Sequence, residues 1–234
     1  AAYTHPFRKD YAAITENEVV FENAYSTNDA HYIPVAFKAF KEKLDGEHWT
    51  DKAITAGQFT FSVIELNADG TEKNGGAAVA AGVSLASDSL SAVDFGRLTY
   101  SHNAIGGNHA HYYKIVEDEG NESGVTYDSK AYYLKVTIND NGNGVLSVTK
   151  AEYFASVQNM VNDANAIYKQ TFTTVAGTTT VTEAGTKTNV QFTNHYGPGS
   201  ITIQPGDLKK IVQVKDNAAV IYHLEGSEFN FDLY

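Results

Sequence analysis

Two charged side chains fall on strand faces that the sequence predicts to be apolar. Residues 32–41 (YIPVAFKAFK) alternate as a strand does, and Lys41 shares a face with Val35, Phe37 and Ala39. Residues 111–117 (HYYKIVE) alternate in the same way, so Glu117 is predicted to face the core. Burial raises the pKa of a carboxyl group and keeps it protonated unless it finds a partner. Lys41 could instead end its strand and extend its amine to water.

Other clusters give weaker signals of chemistry. His109 and His111 share a strand face near His102 and could bind zinc or nickel, but no third ligand has metal-site spacing. Residues 139–144 (NDNGNG) resemble a calcium loop in composition, yet they lack the EF-hand spacing and its terminal Glu, and a tight turn explains them. No serine-hydrolase, zinc-protease or phosphate-binding motif occurs in the sequence. We therefore predict no metal, no cofactor and no enzymatic turnover.

The elements that must position these residues are predicted to be strands. Thr, Val, Tyr and Phe are plentiful whereas Leu and Met are scarce, which favours an all-β fold. Alternating runs predict strands at 58–63, 95–100, 111–117, 131–138, 145–149 and 190–196, the fourth and fifth forming a hairpin. We expect residues 75–93 to form a loop with weak structure. Apolar spacing predicts a short helical insertion within 151–170.

Composition limits the class of protein. The chain has 234 residues, 42% of them hydrophobic, which is enough for a buried core, and no Cys that could form a disulfide or a thiolate metal site. Its net charge of -11 argues against nucleic acid or an anionic membrane as partner. No apolar run approaches the ~20 residues that span a bilayer, and the first residues lack the features of a signal peptide. We interpret the chain as a segment of a longer exported protein.

The motif Phe-x-Asn-x-Tyr occurs twice, at residues 21–25 and 192–196. A polar linker and then a lysine-bearing apolar run follow each copy. A period of about 170 residues is right for one β-domain in a tandem array. We therefore predict the end of a preceding repeat with its linker at residues 1–30, one β-domain at 31–197, and a linker with the opening strands of a further domain at 198–234.

Five stretches together resemble the streptococcal-type pilin isopeptide linkage domain of Gram-positive surface proteins. They occur in the family's order over about residues 31–197: 34–41 (PVAFKAFK), 57–61 (GQFTF), 112–117 (YYKIVE), 124–128 (GVTYD) and 190–196 (VQFTNHY). The resemblance implies an immunoglobulin-like (CnaB-type) β-sandwich in which a Lys and an Asn from the first and last strands join spontaneously, assisted by a Glu. It implies that Lys41 supplies the amine, Asn194 the carboxamide and Glu117 the assisting carboxyl.

Elementary chemistry fits this implied reaction. An amine attacks only when neutral, and burial lowers the pKa of a lysine while it raises that of a neighbouring Glu. Protonated Glu117 would hydrogen-bond the Asn194 carbonyl and pass a proton to departing ammonia. Lys38 or Lys43 could be the nucleophile instead, because one residue more than expected separates Lys41 from residues 44–46, although strand parity favours Lys41. A buried Lys–Glu pair with Asn194 as a hydrogen-bonding neighbour, and no bond, is a further alternative.

The flanking segments carry partial sets of the same residue types. Asn23 would belong to a preceding domain whose lysine is missing, and Lys210 or Lys215 would be the lysine of a following domain. The sequence therefore predicts a structural module of a bacterial surface pilus or adhesin stalk, located at the cell wall, with neighbouring domains or subunits of the same fibre as partners. The alternative is an adhesin domain whose loops 75–93 and 151–170 bind a host protein or glycan.

Overall fold

The computed structural model describes residues 26–43, 48–101 and 106–197, together with two short pieces at 211–213 and 219–221. The chain divides into two compact units, residues 1–197 and 198–234. In the second unit, β15 (Ile211–Gln213) and β16 (Ala219–Ile221) pair antiparallel. The first unit contains the remaining described elements.

The first unit is built almost entirely of strands. Its strands are β1 (Ala30–Tyr32), β2 (Phe37–Lys43), β3 (Trp49–Asp51), β4 (Thr60–Leu66), β5 (Ala78–Ser84), β6 (Leu90–Phe95), β7 (Leu98–Tyr100), β8 (Gly107–Glu117), β9 (Val125–Thr126), β10 (Ala131–Asp140), β11 (Leu146–Phe154), β12 (Tyr168–Val175), β13 (Thr178–Gly185) and β14 (Gln191–Tyr196). One short helix, α1 (Val157–Val161), lies between β11 and β12, and the Ser156 hydroxyl caps it. The predicted all-β class is confirmed.

Twelve of these strands form one curled sheet with the order β13-β12-β11-β10-β8-β4-β5-β6-β2-β14-β9, and β3 pairs with β2. The neighbours in this order are antiparallel except β2 and β14, which run parallel. The curl brings the β2–β14 part of the sheet against the β8–β4 part, as a sandwich does. A buried cluster rich in aromatic residues fills the space between them and includes Phe40, Phe59, Phe61 and Phe192.

One expectation about the middle of the chain is wrong. Residues 75–93 are not a weak loop, because they contain β5 and most of β6, which pair antiparallel. Their small side chains have a packing reason: a Cβ on Gly82 would lie 2.5 Å from the Phe95 ring. The predicted short helical insertion within 151–170 is confirmed as α1, which lies between β11 and β12.

The hairpin prediction is confirmed. Strands β10 and β11 pair antiparallel around residues 141–145. The Asp140 carboxylate accepts a hydrogen bond from the Gly142 N–H, and the Asn141 side chain accepts one from the Asn143 N–H, so the acidic and amide residues of this run organise a turn. Both Gly142 and Gly144 have positive φ, a conformation that favours glycine.

Candidate functional site

Three polar side chains meet inside the aromatic core. The Lys38 amine lies 2.7 Å from Glu117 Oε2, and the Asn194 amide nitrogen donates to Glu117 Oε1 at 2.6 Å. Lys38 and Asn194 have no exposed surface, and the side chain of Glu117 has none either. The Phe59 ring covers the amine, with its centroid 4.6 Å from Lys38 Nζ. One carboxyl group therefore bridges an amine and a carboxamide in a site without water access.

The sheet brings these residues together from distant parts of the sequence. In the parallel β2–β14 pair, Lys38 is opposite Phe192 and Asn194 is opposite Phe40. Lys38 and Asn194 thus lie two residues apart in register on neighbouring strands, and both point into the core. Glu117 is the last residue of β8, opposite Phe61 of β4, in the part of the sheet that faces them. The alternation of β8 places Glu117 on the core face, as the sequence predicts.

Burial controls the protonation of this pair. Loss of hydration lowers the pKa of Lys38 to about 8, although its hydrogen bond to Glu117 acts in the opposite direction. Loss of hydration also raises the pKa of Glu117, against the effect of the Lys38 amine. Both shifts favour the neutral forms, and a neutral amine is the nucleophilic form. The charged Asp128 nearby adds a smaller upward contribution to the pKa of Glu117.

A fourth group completes the site. The backbone N–H of Asp128 donates to Asn194 Oδ1 at 2.8 Å. A backbone N–H can only donate, so this contact requires that the carbonyl oxygen face Asp128 and that the amide nitrogen face Glu117. We expected Glu117 to hydrogen-bond the carbonyl of Asn194. That expectation is wrong, because the carboxyl group contacts the nitrogen that would leave as ammonia.

The placement of Lys41 on the core face is also wrong. Lys41 lies on the opposite side of β2, with its amine bonded to Asp51 of β3 at the surface. Lys38 and Phe40 face the core, together with Ala36 just before the strand. The alternation of the sequence predicted the wrong core face because both faces of this segment are apolar. A lysine therefore could not be assigned to either face by alternation alone. Lys43, the other alternative, lies over the Trp49 ring with its amine 5.1 Å from the centroid.

Sequence reasoning did not assign a role to Asp128. A carboxylate that follows a strand and precedes a short polar stretch commonly accepts from the backbone N–H two residues later, and Asp128 does so with Lys130. Its second oxygen accepts from the Thr193 N–H at 2.7 Å. Partial burial alone would raise the pKa of Asp128, but these bonds and the Lys130 ammonium together lower it. The turn at Asp128 could be predicted from the sequence, but the contact of Asp128 with Thr193 could not.

The other residues singled out from the sequence are the histidine cluster and the partial sites of the flanking segments. His111 of β8 packs against the Tyr100 ring at 4.7 Å, and His109 lies on the same strand. Within 26–43, 48–101 and 106–197, no group of three His, Cys, Asp or Glu residues could hold a metal ion. His102, Asn23, Lys210 and Lys215 lie outside the described residues. Among the described helices, none is long and apolar enough to cross a membrane.

Comparison with known proteins identifies the family. Residues 37–197 match the family model described as FctA, a Spy0128-like isopeptide containing domain. The chain belongs to this family. The match begins at the first residue of β2 and ends just after β14, so it spans Lys38, Glu117, Asp128 and Asn194. A search of curated proteins found no match. The FctA membership confirms the resemblance to pilin isopeptide domains.

Proposed function

We propose that this chain is a structural module of a bacterial surface pilus, stabilised by a self-formed isopeptide bond between Lys38 and Asn194. FctA membership supports the pilus module and its place among neighbouring subunits at the cell surface. The observation that carries the bond is the Glu117 carboxyl group, which bridges the Lys38 amine at 2.7 Å and the Asn194 amide nitrogen at 2.6 Å. The family is structural rather than enzymatic, and the proposed reaction occurs once, on the protein itself.

The bridging carboxyl group can move every proton that the reaction requires. Proton transfer from Lys38 to Glu117 gives a neutral amine beside a carboxylic acid, and burial favours both. Lys38 Nζ then attacks Asn194 Cγ, so an Nζ–Cγ bond forms as the carbonyl becomes tetrahedral. Glu117 takes a proton from Nζ and delivers one to Nδ2, the Cγ–Nδ2 bond breaks, and ammonia leaves. The product is a secondary amide, and no oxidant or cofactor is consumed.

The mass of the folded protein tests this proposal directly. Loss of ammonia should make the intact protein about 17 Da lighter than its sequence mass, because one amine and one carboxamide become one amide. A protease digest should contain one branched peptide in which Lys38 is joined to Asn194. A branched peptide that carries Lys41 or Lys43 instead would contradict the assignment, and an unchanged intact mass would contradict the bond itself.

The rate of bond formation should depend on pH in a bell-shaped manner. The reactive pair holds one shared proton, so acid that protonates both groups leaves the amine charged. Base above the Lys38 pKa of about 8 removes the shared proton and leaves no acid for the departing ammonia. Unreacted chain recovered in denaturant and refolded at different pH values can be followed by mass against time, with folding measured in parallel. A rate that still rises at pH about 10 would show that the amine needs no protonated carboxyl group.

A further inference from the structure

The segment that ends in Asp128 is held against β14 by contacts on three successive levels. Strand β9 pairs with β14 through Val125 opposite Tyr196 and Thr126 opposite His195. Below this ladder, the Asp128 carboxylate accepts from the Thr193 N–H at 2.7 Å. Gly124 allows the close approach at the other end, since a Cβ there would lie 2.9 Å from a backbone oxygen of Gly197. The backbone of Asp128 is therefore fixed relative to Asn194.

This arrangement points the Asp128 N–H at one atom of the proposed reaction. The N–H donates to Asn194 Oδ1 at 2.8 Å, and Oδ1 is the atom that becomes negatively charged when the amine attacks Cγ. A donor that is already in place stabilises such a charge without reorganisation, and it does so most effectively where water is excluded. Asn194 is fully buried, so water has no access to its amide.

We propose that Asp128 serves bond formation twice, with its backbone N–H as the oxyanion donor and with its carboxylate as the anchor that holds this N–H in position. The inference rests on the proposed function, because it assigns a role within the same reaction. The N–H also selects the orientation of the amide: with Oδ1 held by Asp128, the nitrogen of Asn194 must face Glu117, which is the group that protonates it. An inverted amide would direct its nitrogen away from the acid.

Removal of the N–H alone is the sharpest test. In cell-free translation, the α-hydroxy analogue of aspartate can be inserted at position 128, which replaces the N–H by an ester oxygen and keeps the carboxylate. Loss of one oxyanion donor slows related reactions by about 10²–10³-fold, and we expect a decrease of that size in the rate of ammonia loss. The matched control carries the hydroxy analogue of serine at position 129, an exposed residue next in the chain. This control should react at the wild-type rate.

Side-chain variants test the anchor separately. Asp128→Ala removes both acceptors, for the Thr193 and Lys130 N–H groups, and should slow ammonia loss at least tenfold. Asp128→Asn keeps one acceptor oxygen and should recover part of that rate. The melting temperature of each variant in a Glu117→Gln background, where no bond is expected, shows whether the fold is retained.

The possible outcomes are distinct. If the position-128 ester and the Asp128→Ala variant both react as fast as wild type, the role of Asp128 is wrong while the Lys38–Asn194 bond stands. If the esters at 128 and 129 slow the reaction equally, the effect belongs to the loop and not to this N–H, and the inference is also wrong. If the wild-type protein itself loses no ammonia, the proposed function fails first. A slow ester at 128 beside a fast ester at 129 supports the inference.

Discussion

Replacing Lys38 by methionine is expected to prevent the crosslink and to lower the melting temperature by about 10–20 °C. Methionine fills the apolar space of the lysine stem but has no amine, so the variant removes the bond with little loss of packing. The proposed bond closes a loop of about 150 residues, and the chain-entropy estimate for such a loop is about 5 kcal/mol. For a domain of this size, a change of about 5 kcal/mol corresponds to the stated shift. Calorimetry and intact mass on the same sample provide the measurement.

The matched control for this experiment is Lys41→Met. Lys41 lies on the same strand, three residues further on, but its amine contacts Asp51 at the surface. A partly exposed ion pair contributes about 1 kcal/mol or less. The control should therefore lose ammonia and melt within a few degrees of wild type. If Lys41→Met abolished the mass loss and Lys38→Met did not, the buried lysine would be a structural residue and the surface lysine the nucleophile.

Replacing Glu117 by glutamine is expected to leave a folded protein in which Lys38 and Asn194 stay unjoined. The glutamine oxygen can still accept from the Asn194 amide, but the side chain can neither take a proton from the amine nor deliver one to the leaving nitrogen. General acid–base assistance contributes about 10²–10⁴-fold to a rate, so the crosslink should form slowly or not at all within hours. Intact mass against time after refolding measures this rate.

Glu119→Gln is the matched control for that variant. Glu119 is two residues further along, just beyond the end of β8, and its side chain is exposed. It should react at the wild-type rate. Complete and rapid crosslinking in Glu117→Gln would mean that another acid assists the reaction. Asp128 would then be a candidate, since its carboxylate acts on the pKa of Glu117.

The strands that carry the site could largely be predicted because they alternate between large apolar and polar residues. Residues 111–117 and 190–196 do so, and they contain the second half of β8 and all of β14. Alternation did not predict β5, because its small residues show no contrast between the two faces of the strand; one of them, Gly82, lies against the Phe95 ring. In β2, alternation predicted the wrong core face, because Ala39 is as buried as Phe40 although the two residues point to opposite faces.

Two features of the site could not be predicted from the sequence, because they depend on the backbone conformation and on the strand register. The contact between Asp128 and Asn194 is made by a backbone N–H, which every residue except proline carries, so its direction depends only on the conformation of the chain. The burial of Lys38 rather than Lys41 depends on the register of β2 against β14. Register depends on contacts between residues that are more than a hundred positions apart, and a single sequence does not record it.

The parallel pairing of β2 and β14 has a consequence for how the module responds to tension. A pull on the chain before β2 acts toward the start of that strand, whereas a pull on the chain after β14 acts toward the end of that strand. Because the strands are parallel neighbours, these forces slide one strand along the other and load all the hydrogen bonds between them at once. If Lys38 and Asn194 are joined as proposed, the tension would pass from one strand to the other through a covalent bond. The strands between them would then carry no load, and the module would act as an inextensible link in a fibre.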